Sequence, residues 1–351
     1  MGINKYDDVW NNWSDADSFS GVFSVSGEKG IIFEKCCGLR NRSENLPNNN
    51  DTAFGIASGT KLFTGLAVCK LIDNRKLSLN DRLWDLLPYN LGQIDKRVSI
   101  FQLLTHTSGI GDYIDEESED STSQMQALYS KYPVYLWERL EYYLPMITPL
   151  PLKFEPGVRY GYSNAGFVML GLVIEAVSGI PFQQYVQENI IEPCKLEHTG
   201  FYRLDSLPAN TAYGYVRDDI IGQWRTNISC MPIIGGSDGG LFTCANDLDK
   251  LWRAVFSHKI LSEEMTHIFL TPHVKMRSDP EHSGYYGLGV YIDNNDDSNA
   301  VYYAVGGDFG VEFFTAYFPK QKIVASALAN TEVRLFSLLR TLLQMRGESG
   351  A

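Results

Sequence analysis

The sequence predicts an α/β fold of the α+β type: one antiparallel sheet flanked by helices, with a mostly helical lobe inserted between its strands. Three observations lead there. Strand patterns lie near both ends of the 351-residue chain, the middle reads as helices, and two late strand runs are joined by a short turn. Residues 1–57 and 206–351 are expected to form the sheet-containing lobe and residues 58–205 the helical lobe, with an active site between them.

Near the N-terminus, Gly21 to Ser26 and Ile31 to Cys36 flank Gly27-Glu28-Lys29-Gly30 and read as a β-hairpin. The Asn-rich stretch from Arg40 to Thr52 reads as a loop. From Ser58 to about Ile72 the period becomes helical, with Leu62, Phe63, Leu66, Cys69 and Ile72 on one side. Ser99 can cap a short helix carrying Leu103 and Leu104, and Ser163 or Asn164 can cap another running to Val177. Gly179 suits the left-handed position after that helix. Pro181 opens a further helix through Ile191. Strands are expected at Tyr285 to Ile292, Ala300 to Val305, Val311 to Phe318 and Ile323 to Ala329, with Pro319 to Lys322 as a hairpin turn. A last helix runs from about Val333 to Met345.

Composition narrows the function. Hydrophobic residues at 44% and charged residues at 21% are ordinary for a globular chain and exclude disorder and coiled coil. A net charge of -12 argues against nucleic acid, whose binding needs cationic contacts to phosphate. The longest strongly apolar stretch is the ten residues from Ala165 to Ile174, against roughly 20 for a bilayer span, so no membrane span is expected. The start MGINKYDDVWNNWSDADS has no basic region followed by an apolar run, so no secretory signal is read in it, and either a cytoplasmic location or a leader already removed is expected. Cys36, Cys37, Cys69, Cys194, Cys230 and Cys244 form no CxxC pair and no cluster with histidine, so they read as reduced thiols without a zinc site. No metal or organic cofactor is expected. Oligomeric state is open.

Three stretches could carry chemistry. Ala57-Ser58-Gly59-Thr60-Lys61 is an S-x-x-K motif at a helix start, where free backbone N–H groups can hold an oxyanion. Residues three apart share a helix face, so the Lys61 amine can reach the Ser58 hydroxyl. Burial of Lys61 would favour the neutral amine that takes the serine proton. Gly161-Tyr162-Ser163-Asn164 precedes another helix. A tyrosine near two cations can approach the phenolate state and serve as acid or base, and an asparagine can orient a substrate amide. Val305-Gly306-Gly307-Asp308 lies in a predicted strand, where glycines allow a ligand to approach the backbone closely.

S-x-x-K, Y-x-N and a glycine-bearing strand, in that order, resemble the constellation of the penicillin-recognising serine enzymes. The similarity is to the branch holding class C β-lactamases, D-alanyl-D-alanine carboxypeptidases and β-lactamase-like esterases, and it spans roughly residues 20 to 330. Lys76 to Asp81, Leu103 to Gly109, Phe154 to Gly157, Gly239 to Leu241 and Asp247-Leu248 look like further landmarks of that branch. The resemblance implies the β-lactamase/DD-peptidase-like fold. It also implies that Ser58 is the nucleophile, Lys61 its activating amine and Tyr162 the acid–base group. Asn164 would orient substrate, and Val305, Gly306, Gly307 and Asp308 would form the third substrate-binding motif. The N–H groups of Ser58 and Asp308 would make the oxyanion hole. His106 reads as a structural histidine under the site.

One departure stands out. Val305 occupies the place where the family has Lys or His, and a one-residue shift would put Ala304 there instead. That cation ordinarily binds a substrate carboxylate and tunes the tyrosine. The expected activity is therefore hydrolysis of an ester, amide, peptide or lactam carbonyl in a small acyl substrate through a covalent acyl-enzyme, with esterase or D-Ala-type peptidase action favoured and β-lactamase action weak. The alternative from a different class is a catalytically reduced penicillin-binding-protein-like ligand sensor.

Overall fold

A computed structural model describes residues 5–218, 220–276, 284–293 and 299–347. Eight strands form one antiparallel sheet: β1 (Gly21–Gly27), β2 (Gly30–Cys37), β3 (Val274–Lys275), β4 (Gly284–Tyr286), β5 (Tyr291–Asp293), β6 (Val301–Asp308), β7 (Val311–Phe318) and β8 (Ile323–Ala329). Their spatial order is β2-β1-β8-β7-β6-β5-β4-β3. The N-terminal hairpin thus pairs with the last strand, Gly21 opposite Ala329 and Val25 opposite Ala325. Everything between β2 and β3 is an excursion from this sheet.

The region expected to be a single strand from Tyr285 to Ile292 is instead two short strands, β4 and β5, folded on each other. Gly287 donates to the Val290 carbonyl across the turn, and Gly289 at φ +99 takes the left-handed conformation that the turn requires. A Cβ on Gly289 would also lie 2.9 Å from the Lys61 carbonyl, so this turn packs directly on the helix that carries Lys61.

The helices used below are α1 (Lys5–Asn12), α2 (Thr60–Asp73), α3 (Ser121–Lys131), α4 (Asn164–Ser178), α5 (Ala245–Phe256) and α6 (Leu335–Gln344). α1 has no counterpart in the sequence reading. Its Tyr6, Val9 and Trp10 form a short apolar stripe that is buried against the sheet side of the molecule. Ser99 and Gln102 form a reciprocal capping box, and Gly179 ends α4 at φ 77. The helix after Pro181 passes through a π turn at Gln187–Ile191 before ending at Cys194.

Two apolar clusters divide the interior. The larger joins α2, α4 and α5 to one face of the sheet, and the smaller packs α1 and α6 on the other face. α4 is buried from Asn164 to Ile174, which explains an apolar run without amphipathic period: a helix that is hydrophobic all round belongs inside. Among the described residues no single helix is long and apolar enough to cross a membrane, and all six cysteines are free thiols.

Candidate active site

Ser58 lies in a tight turn, Ala57–Gly59, that leads into α2, so the helix expected from Ser58 begins two residues later. Ala57 is held at φ 44, a left-handed conformation that costs a residue with a Cβ about 1–2 kcal/mol. The surrounding bonds enforce it. Ile56 donates to the Leu241 carbonyl at 2.9 Å, Thr60 Oγ1 donates to the Ala57 carbonyl at 2.8 Å, and Leu241 N donates to Thr60 Oγ1 at 3.0 Å. The segment around Gly239-Gly240-Leu241 is thereby stitched to the start of α2.

Lys61 is 2% exposed, and its ammonium donates three hydrogen bonds: to Ser58 Oγ at 2.9 Å, Asn164 Oδ1 at 2.7 Å and the Asp238 carbonyl at 2.7 Å. All three of its donors are used. Burial lowers its pKa, while Asp238, Glu116, Asp112 and Asp308 oppose the shift. From the other side the Tyr162 phenol donates to Ser58 Oγ at 2.8 Å. The structure therefore brings Ser58, Lys61, Tyr162 and Asn164, separated by up to 106 residues of chain, onto one oxygen atom and its neighbours.

With Val305 in place of the third motif's usual lysine or histidine, Tyr162 has the Lys61 ammonium 5.0 Å from its ring centroid. Burial, with Glu116 and Tyr291, pushes its pKa well above the usual phenol value. Tyr162 is held as a protonated phenol.

α4 presents Tyr162 and Asn164 through its own start. Ser163 Oγ caps Gly166 N at 3.0 Å, and the Asp112 carboxylate accepts from Asn164 N at 2.6 Å and Ala165 N at 3.2 Å. His106, at φ 55, lies beneath, accepting from Ser163 N through Nδ1 at 3.1 Å with its ring 4.6 Å from that of Tyr162. Burial and Lys61 keep its pKa well below the usual imidazole value, so the ring is neutral.

The third motif divides between the two faces of β6. Val305 packs against the cluster under α1 and α6, away from Ser58, and does not line the cleft. Gly306 lies directly behind the nucleophile: a Cβ there would come within 2.2 Å of the Ile56 carbonyl oxygen, 2.8 Å of Gly59 N and 2.9 Å of Ser58 N. Gly307 and Asp308 do line the cleft. Of the four residues expected to meet substrate, two form the wall and two support it. Gly306→Ala is expected to push the Ser58 turn out of place, with acylation slowed on the order of 10²-fold and stability lowered by about 1–3 kcal/mol. Acylation kinetics and denaturant unfolding together check this, and an unchanged acylation rate would show that β6 does not position Ser58.

Sequence reasoning missed Asp112, Tyr113, Glu116 and Asp238. Asn164 Nδ2 donates to Glu116 Oε1 at 2.7 Å, and the Tyr113 hydroxyl donates to the Asp238 carboxylate. Asp112 and Glu116 fall in an acidic stretch that reads as surface, and Asp238 stands just before the Gly239-Gly240-Leu241 landmark, the one signal that could have marked it.

The Beta-lactamase family model matches residues 13–344. The chain belongs to the beta-lactamase family. Beta-lactamase-family proteins are generally serine hydrolases, and the sheet and helices described above are the β-lactamase/DD-peptidase-like fold. The penicillin-binding protein from Bacillus halodurans is 38% identical with a TM-score of 0.87, over 97% of this chain and 99% of that one. PbpX of Bacillus subtilis (strain 168) is 25% identical over 82% of this chain and 66% of its own length. Protein flp of Staphylococcus aureus (strain MW2) is 30% identical over 53% of this chain and 35% of its own. The chain spans about two thirds of the first of these curated relatives and about one third of the second.

Proposed function

We propose that this protein is a serine hydrolase that acts on ester, amide or peptide carbonyls through an acyl-enzyme on Ser58. The observation that carries the reading is the convergence of Lys61 Nζ and the Tyr162 hydroxyl on Ser58 Oγ at 2.9 and 2.8 Å. Lys61, biased toward the neutral amine by burial, takes the serine proton as Oγ attacks the carbonyl. The N–H groups of Ser58 and Asp308 hold the resulting oxyanion. Tyr162, a protonated phenol, gives its proton to the leaving oxygen or nitrogen and recovers it from Lys61. In the second half a water attacks the acyl carbon, losing a proton to the same pair, and Ser58 leaves as the alcohol.

Val305, turned away from the cleft, supplies no cation for a substrate carboxylate, which favours esters and amides over penicillins. Intact mass after incubation with a reactive aryl phosphonate, and separately with a penicillin, tests the reading. The expected result is one phosphonyl group per chain and little or no penicilloyl adduct. No phosphonyl adduct would overturn the acyl-enzyme reading in favour of a ligand-binding module.

A further inference from the structure

Backbone strain in this molecule gathers beneath the site. Several non-glycine residues adopt the left-handed conformation, but among the described residues only two of them, Ala57 and His106, are buried. Ala57 stands beside the nucleophile. His106, at φ 55 and 1% exposed, lies under Tyr162. A left-handed backbone is unfavourable for any residue with a Cβ and persists only where the surroundings enforce it. His106 carries a second cost. Its Nδ1 accepts the Ser163 N–H at 3.1 Å, so the neutral ring bears its proton on Nε2. That Nε2 is buried without a hydrogen-bond partner among the described residues, and an unsatisfied buried donor is destabilising. A residue that merely filled space would need neither feature.

What these costs maintain is a grip on Tyr162 from three directions. On one side of the tyrosine, Gly161 N donates to the His106 carbonyl at 2.9 Å. On the other, Ser163 N donates to the imidazole. Between these two bonds the His106 ring lies under the Tyr162 ring, with centroids 4.6 Å apart and planes at 35°. The imidazole is itself wedged by Tyr286 at 4.7 Å, Phe167 at 5.0 Å and Tyr160 at 5.7 Å. Aromatic rings are weak acceptors for an N–H, which softens the cost of the unpaired donor. Tyr286 ends β4, and the turn after it packs through Gly289 on the helix that carries Lys61. With both flanking peptides and one ring face fixed, the phenol has few directions left, and its hydroxyl falls 2.8 Å from Ser58 Oγ.

We propose that His106 is the positioning residue of Tyr162, holding Gly161 and Ser163 on either side and supporting the ring from below, so that the phenol stays aimed at Ser58 Oγ. The inference rests on the acyl-enzyme reading for the reaction itself. His106 exchanges no proton with the substrate; it acts through the tyrosine.

The experiment is a double-variant cycle of His106→Asn and Tyr162→Phe in the full chain. Asparagine tolerates the left-handed backbone but brings no ring to lie under the phenol. Single-turnover acylation is followed with 3-phenylpropanoyl p-nitroanilide and with the p-nitrophenyl ester of the same acid. His106→Asn should slow the anilide by about 10- to 100-fold, the cost of a misplaced reacting group, and the ester by less than about threefold. The half-saturating anilide concentration should change by less than about threefold, because the loss falls on the transition state. In the Tyr162→Phe background the same substitution should cost less than about threefold on either substrate, since no phenolic proton remains to be aimed. A loss equal on both substrates, or equal in both backgrounds, would leave His106 a space-filling residue and overturn the proposal. A second measurement uses the wild type and does not depend on a variant folding. Nitrogen-15 spectra of the histidine-labelled chain at neutral pH should contain a slowly exchanging Nε2–H imidazole with a bare Nδ1. If every imidazole is instead protonated on Nδ1, charged, or in fast exchange with solvent, the hold on Ser163 is absent and the proposal falls. No turnover of either substrate by the wild type would sink the acyl-enzyme reading and this inference with it, whereas turnover with independent losses would sink the inference alone.

Discussion

Ser58→Ala is expected to lose both covalent labelling and hydrolysis. The drop in turnover should be on the order of 10⁴- to 10⁶-fold, the scale seen when a serine hydrolase loses its nucleophile. Ser58 Oγ is the shared acceptor of Lys61 and Tyr162, so its loss leaves the lysine and phenol with no group to activate. The fold should survive. Ser58 is partly exposed in a turn held by bonds from Ile56 and Thr60, neither of which uses its side chain. Intact mass after phosphonate treatment and thermal unfolding of the variant make the check. Stoichiometric labelling of the alanine variant would mean that another residue is the nucleophile.

Lys61→Met and Tyr162→Phe should each cost ~10²- to 10⁴-fold in turnover, the usual contribution of an acid–base group. The double variant should lose far less than the product of the two, because both act through one oxygen. The singles should also differ in kind. With Lys61 as base and Tyr162 as a protonated phenol, the tyrosine variant should be penalised more on an amide, whose leaving nitrogen needs a proton, than on an activated ester with a stable leaving group. Single-turnover acylation with a matched amide and aryl ester, in the two singles and the double, measures both effects. Fully multiplicative losses would show independent action, and an equal penalty on amide and ester would remove the general-acid role from Tyr162.

Much of the fold was legible because it is written in local chemistry. A serine three residues before a glutamine, ahead of an apolar run, marks a helix start, and Ser99 with Gln102 forms that capping box here. A glycine after an apolar run takes the left-handed position, as Gly179 does. The hairpin at Gly27–Gly30 and the strands through Val311–Phe318 and Ile323–Ala329 follow from alternation and turn residues. The misreadings have local causes too. Tyr285 to Ile292 is rich enough in aromatic and β-branched residues to pass for one strand, and only the packing of Gly289 on Lys61 and Gly65 explains why it folds back. α1 escaped because eight residues with three apolar positions leave too short a period to see.

By itself the sequence determined the family and the chemical groups: Ser58 and Lys61 one helical turn apart, Tyr162 and Asn164 at a second helix start, and a glycine-bearing strand whose usual cation is a valine. What the third dimension decided is the polarity of the cleft and the protonation of its tyrosine. Glu116, Asp238 and Asp308 are scattered along the chain, and each in isolation reads as an ordinary solvated carboxylate. Only the folded chain brings them to one wall, turns Val305 to the opposite face of β6, and buries Tyr162 beside Lys61 and Glu116. The physical reason is that charge acts through space and burial. A residue's type can be read from its place in the chain, but its pKa and the field it joins depend on neighbours that only tertiary packing supplies.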